Sequence, residues 1–303
     1  MSIRPIKRII QSQPTIEGAG VKLRRAFGFG TTDEFDPFLL LDDFRNDNPE
    51  DYLAGFPWHP HRGIETITYV LSGAVTHGDS LGNRGTLSGG DVQWMTAGSG
   101  ILHQEMPRGD ERGRMHGFQL WANLPRSLKM TDPRYQDIVA KDIPEVVDDD
   151  GTRVRVICGS FWGKTGPVEG VAAEPRYLDV WVPPRVKKTL PAEASRHAFA
   201  YVFEGSGTFR DASTPRGVLT EWVGQGGTGA TARDETGNRS LVLFDSGDEI
   251  TVQAGEAGIR FLLVSGRPLE EPVAWQGPIV MNTQEELRRA YAELRDGTFI
   301  KHP

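Results

Sequence analysis

Hydrophobic and polar residues alternate over short stretches of this chain, and glycine or proline closes most of them. In the first half "ETITYVLSG", "VQWMTAG" and "HGFQLWANL" each predict a β-strand. A polar passage follows, "PRSLKMTDPRYQDIVAKDIPEVVDDDG", and its acidic run at 148–150 predicts a boundary near 150, giving domains 1–150 and 151–303. The second half returns to strands in "RVRVICGSF", "RYLDVWVP", "HAFAYVFEGSGTF", "SLVLFDSGDEITVQAG" and "IRFLLVSG". Many short strands with glycine turns predict an all-β protein built from sandwiches or barrels. The period changes only near the end. Leu287, Ala290, Tyr291 and Leu294 recur at helical spacing, Thr283 and Glu286 form a capping pair, and Gly297 follows, so a helix is predicted over about 283–296. Its apolar stripe is assigned to packing, with no chemistry.

The two halves echo each other. "YVLSG" at 69–73 matches "YVFEG" at 201–205, and "GGDVQWMTAG" at 89–98 matches "SGDEITVQAG" at 246–255, in the same order. A duplicated unit explains both matches.

Composition narrows the function. The net charge of −7, with basic residues scattered beyond "RPIKR", argues against a broad phosphate-binding surface and so against direct nucleic-acid binding. The one cysteine, Cys158, has no partner for an intrachain disulfide and supports no thiolate cluster. The segment "MSIRPIKRIIQSQP" lacks the apolar core of a signal peptide, and no run is long enough to cross a membrane as a helix. A cytoplasmic protein is expected.

The chemistry concentrates in two places. "FPWHPHRGIE" sets His59 and His61 two apart, with Glu65 four further on; "GILHQEMP" sets His103 and Glu105 two apart. Alternate residues of a strand share a face. If both faces line one barrel interior, three imidazoles and one carboxylate converge on a divalent transition metal and leave a coordination position open. Fe, Mn, Ni, Cu and Zn all suit such donors. Glu65 has the same parity as the histidines; with Glu105 supplying the carboxylate, it reads as an outer-sphere partner or a buried salt-bridge residue. His77 reads as a turn residue. His116 opens a strand, and His197 and His302 lack neighbours of the right kind. Aligning the halves puts Pro191, Glu193, Arg260 and Leu262 opposite His59, His61, His103 and Glu105, so one metal site per chain is expected, in the first domain.

"FPWHPHRGIETITYVLSG", "GDVQWMTAGSGILHQEMP", "HGFQLWANLP" and the tail "GPIVMNTQEELRRAYAELRDGTF" resemble the pirin family of the cupin superfamily. The resemblance implies two antiparallel jelly-roll barrels packed face to face, with a C-terminal helix. It implies metal ligation by His59, His61, His103 and Glu105, typically of iron, and it supports the lesser role of Glu65. For activity it implies a quercetin 2,3-dioxygenase, which cleaves a flavonol with O2 and releases CO, with Glu105 as general base. Phe56 and Trp58 would wall the pocket, and Arg62 and Gln119 would be its polar residues. The family also contains protein-binding regulators, so a non-enzymatic iron-bearing cofactor acting on a protein partner is the alternative, and a scaffold with a vestigial metal a third.

Overall fold

The structure is a computed structural model and describes residues 1–213, 220–224, 227–230 and 235–301, with backbone alone at 220–224 and 227–230. His302 lies outside the described residues. Among the described residues the chain is almost wholly β, with one helix longer than a single turn, and no helix is long and apolar enough to cross a membrane.

The chain divides into two units: Pro14–Asp142 with Leu269–Pro303, and Met1–Gln13 with Ile143–Pro268. This corrects the single cut expected near 150. The change of unit falls at 142/143, each unit takes a segment from the far end of the sequence, and the tail joins the first-half barrel. The physical reason is strand pairing. Ile6–Gln11 pairs with Ser240–Phe244, and Ile279–Met281 meets Arg62 through an isolated bridge.

In the first unit, a seven-stranded sheet runs Arg134–Ile138, Val92–Thr96, Ile64–Ser72, His116–Asn123, Phe38–Asp43, Val21–Phe27 and Gln13–Glu17. A four-stranded sheet runs Phe56–His61, Ile101–Arg108, Ala74–Asp79 and Arg84–Leu87. Both sheets contribute to the wall of one cavity of about 580 Å³. The tail packs here too. Gln284–Arg295 is helical, Thr283 and Glu286 form the predicted capping box, and Leu287 and Ala290 bury against Ile279, Met281 and Phe299.

In the second unit, eleven strands form one sheet, in which Glu249–Gly266 pairs along its length with Arg176–Val182, Lys187–Pro191 and His197–Arg210. Its interior is filled by apolar side chains, among them Val156, Val180, Phe209, Phe244 and Phe261. Cys158 is buried at a strand end.

The matched phrases fold alike. Gly73 and Gly205, which end "YVLSG" and "YVFEG", both have positive φ, at 82° and 67°. A Cβ would come within 2.7 Å of the Arg108 carbonyl oxygen at Gly73 and within 2.1 Å of the Gly258 carbonyl oxygen at Gly205. Only glycine meets both demands.

Candidate metal centre

Strands Phe56–His61 and Ile101–Arg108 pair antiparallel, with His59 opposite His103 and His61 opposite Ile101. Directly paired residues present their side chains to the same face. The predicted alternation therefore brings three imidazoles together. Ring centroids lie 4.9 Å apart for His59 and His61, 4.3 Å for His59 and His103, and 4.9 Å for His61 and His103. One donor atom from each lies within 4.8 Å of the others, a grouping that could hold a metal ion.

The hydrogen bonds fix which nitrogens face inward. His59 Nδ1 contacts the Pro57 carbonyl at 2.9 Å, and His61 Nδ1 contacts the Pro278 carbonyl at 3.1 Å. A carbonyl only accepts, so each Nδ1 carries a proton. His61 Nε2 is thereby left as a lone pair, 3.2 Å from His59 Nε2. His103 is buried, and neither ring nitrogen has a hydrogen-bond partner among the described residues. Three clustered imidazoles, those of His61 and His103 buried and that of His59 partly so, form a donor set that could hold a cation.

Burial keeps the His61 and His103 rings neutral. It pushes the His61 imidazole down to about 3, with the neighbouring His59 adding to the effect. Burial, then His61, His59 and His77, hold His103 well below its ordinary range. Neutral imidazole is the metal-binding form.

Glu105 stands apart from the imidazoles. Phe56 to His59, three steps, lies opposite Glu105 to His103, two steps, so the pairing is irregular at this point. Glu105 lines the same cavity, but its carboxylate accepts from Thr68 Oγ1 at 3.3 Å, and it is not part of the imidazole grouping. Burial raises its pKa, against the opposing pull of His59, the Thr68 hydroxyl and His77.

The other expected residues divide. Phe56 and Gln119 line the cavity, and so does Trp58, 54% exposed at its rim. Arg62 does not. Its side chain turns away, donating to the carbonyls of Ser99 and Phe299, pairing with Glu293 at 2.7 Å and stacking on the Phe299 ring. Glu65 is also outside the cavity wall, where it accepts from Thr96 Oγ1 at 2.8 Å. The parity argument fails for Glu65 because Gly63, at φ 77°, breaks the strand between His61 and Ile64. His77 is no turn residue. It is buried in Ala74–Asp79, opposite Glu105, with its ring stacked on Tyr135.

Residues 20–122 match the pirin family model, and residues 177–300 match the model of the pirin C-terminal cupin domain. The chain belongs to the pirin family of the cupin superfamily. It is 42% identical to a "Pirin-like protein" of Caulobacter vibrioides, over 99% of this chain and all of that one. It is 42% identical to a protein of Pseudomonas aeruginosa named "Putative quercetin 2,3-dioxygenase", over 97% of both chains. A solved quercetin 2,3-dioxygenase of Acinetobacter baumannii superposes with a TM-score of 0.84 at 31% identity, covering 98% of this chain and 99% of that one.

Several residues of this pirin's cavity escaped the sequence reading: Trp275 and Pro278 from the tail, Trp121, and the pair Arg25–Asp42. Trp121 was within reach, since it stands two residues beyond Gln119 on one strand. The tail residues carry no local signal, because only the tertiary fold brings them to His61.

Proposed function

We propose that this chain is a metal-dependent dioxygenase of the quercetin 2,3-dioxygenase type, with Fe(II) as its metal and a flavonol as its substrate. The observation that carries the reading is the grouping of three imidazoles, two of which, His59 and His61, line a cavity of about 580 Å³ walled by Phe56, Trp58, Trp121 and Trp275. The names borne by the Pseudomonas and Acinetobacter relatives point the same way. His59, His61 and His103 would hold the ion, and Glu105, outside their grouping but on the same cavity wall, would supply the carboxylate. When bound, the metal supplies Lewis acidity and a site for O2.

The chain's own residues do the rest. Glu105 lies at the cavity surface with its pKa raised by burial, which suits a base that takes the proton of the flavonol 3-hydroxyl. Thr68 holds that carboxylate from behind. The aromatic wall takes a flat ring system and displaces water from its faces. In the overall reaction the flavonol and O2 give a depside and CO.

The test uses protein loaded with Fe(II), mixed with quercetin under air, following flavonol absorbance and CO. Turnover that is abolished in His103→Ala and depressed in Glu105→Gln is the expected result. Absence of turnover in the wild type, or equal turnover in His103→Ala, overturns it and leaves the non-enzymatic reading.

A further inference from the structure

We propose that a polar row formed by Arg25, Asp42 and Gln119 reads the oxygen substituents at the end of the substrate remote from the imidazoles. This rests on the flavonol reading above and adds a specificity element to it.

The row is built by register. Arg25 pairs with Asp42, Asp42 with Gln119, and Gln119 with Thr68, on four successive strands of the seven-stranded sheet. Residues paired in this way share a face, and all four line the cavity. Three strand spacings carry the row about 14 Å across the sheet, from the Thr68–Glu105 contact beside the metal centre to Arg25.

Two donors in the row are left for a ligand. Arg25 grips Asp42 through Nε at 2.8 Å and Nη2 at 2.7 Å, and Nη2 also meets Glu17 at 2.9 Å. Its Nη1 has no hydrogen-bond partner among the described residues. Gln119 Oε1 shares the single Thr68 hydroxyl proton, at 2.8 Å, with the Glu105 carboxylate at 3.3 Å in a three-centre bond, and the Gln119 amide N–H groups have no partner there either. Neither nitrogen is sealed off from the cavity, as neither is among the buried unpaired atoms. An arginine held by a carboxylate and a glutamine held by a hydroxyl are oriented before any ligand arrives. Donors fixed in this way select acceptor oxygens such as phenol, phenolate or carboxylate. Apolar Val21, Leu23 and Leu40 surround them and accept the ring that carries those oxygens.

The experiment measures binding by quenching of tryptophan fluorescence, since Trp121 and Trp275 line the cavity. It uses metal-loaded protein without oxygen and two probes. Quercetin carries hydroxyls on its outer rings; 3-hydroxyflavone keeps the metal-facing hydroxyl and carbonyl and lacks the others. Wild type is expected to prefer quercetin by about tenfold. Gln119→Met and Arg25→Lys should each remove most of that preference while leaving 3-hydroxyflavone within about twofold. Arg25→Lys keeps a cation for Asp42, and Gln119→Met leaves the Arg25–Asp42 pair untouched, so failure of one variant to fold leaves the other to decide. Equal weakening of both probes, a preference that survives both substitutions, or a wild type that holds neither probe overturns the assignment. A preference that obeys these expectations in a protein that never releases CO removes the dioxygenase reading and leaves the recognition row standing.

Discussion

Where one barrel carries His59, His61 and His103, the aligned positions of the other carry Pro191, Glu193 and Arg260. The interior behind them differs as sharply. The first barrel keeps about 580 Å³ open, crossed by a polar row from Arg25 to Thr68. The second packs Phe209, Phe244 and Phe261 into its core, and Arg260 turns off that core to form a fork with Asp179 at 2.9 and 2.7 Å. Each buried phenylalanine contributes roughly 1.5–3 kcal/mol through removal of its surface from water. The open barrel forgoes that contribution and must also satisfy buried polar groups. A pocket for chemistry and a well-filled core are competing uses of one interior, and duplication lets each barrel serve one of them.

The comparison is broken most directly at the ligands. His61→Ala or His103→Ala should lower metal content and turnover by about a hundredfold or more, read by elemental analysis and CO release. The mirror experiment is Phe261→Ala in the filled barrel, which should cost about 3–5 kcal/mol of unfolding free energy in a denaturant titration. Metal content per folded chain should stay unchanged. If it falls in step with stability, the division of labour is wrong.

Gly63→Ala sharpens the point, because that residue joins stability to the site. Its φ is 77°, and a Cβ there would lie 1.9 Å from the Val280 carbonyl oxygen. The Gly63 carbonyl also accepts from the buried Lys129 at 2.7 Å. We expect a loss of about 2–3 kcal/mol together with reduced metal occupancy, unlike Phe261→Ala.

Acid should separate the barrels more gently. Folded His61 resists protonation until about 3, whereas the unfolded residue titrates near its ordinary value of 6.5. Between those values the unfolded chain binds more protons, so metal-free protein loses stability as the pH falls through this window. Denaturation of chelator-treated protein at pH 7, 5 and 4 should show the loss, and His61→Asn should lessen it, with the buried His103 contributing the remainder. The smallest effect is expected of Glu65→Gln, under about twofold in metal content, because Glu65 lies outside the cavity wall.

Strands, turn glycines, the capped helix and the three histidines were legible because each rests on local periodicity. His59 and His61 could be read from i, i+2 alternation, since Phe56–His61 is a continuous strand. Glu65 could not, since the same counting ran through the break at Gly63. Arg62 was misread for a related reason. Its partners Glu293 and Phe299 lie more than two hundred residues away in sequence, and nothing near Arg62 announces them. The alignment of Arg25 and Asp42 with Gln119 was invisible because register across three strands is a property of the folded sheet. His77 illustrates the limit from the other side: a glycine after it suggested a turn, yet Gly78 lies within the strand.

The Pro278 carbonyl that fixes the tautomer of His61 lies far downstream of the imidazoles it serves. During synthesis the histidines leave the ribosome first, and roughly 175 residues separate His103 from that carbonyl, some ten to thirty seconds of translation at typical rates. Until then the nascent chain carries imidazoles whose orientation is unsettled and whose final wall does not exist. If the three imidazoles hold a metal as proposed, the completed site would form only once the segment around Pro278 has arrived.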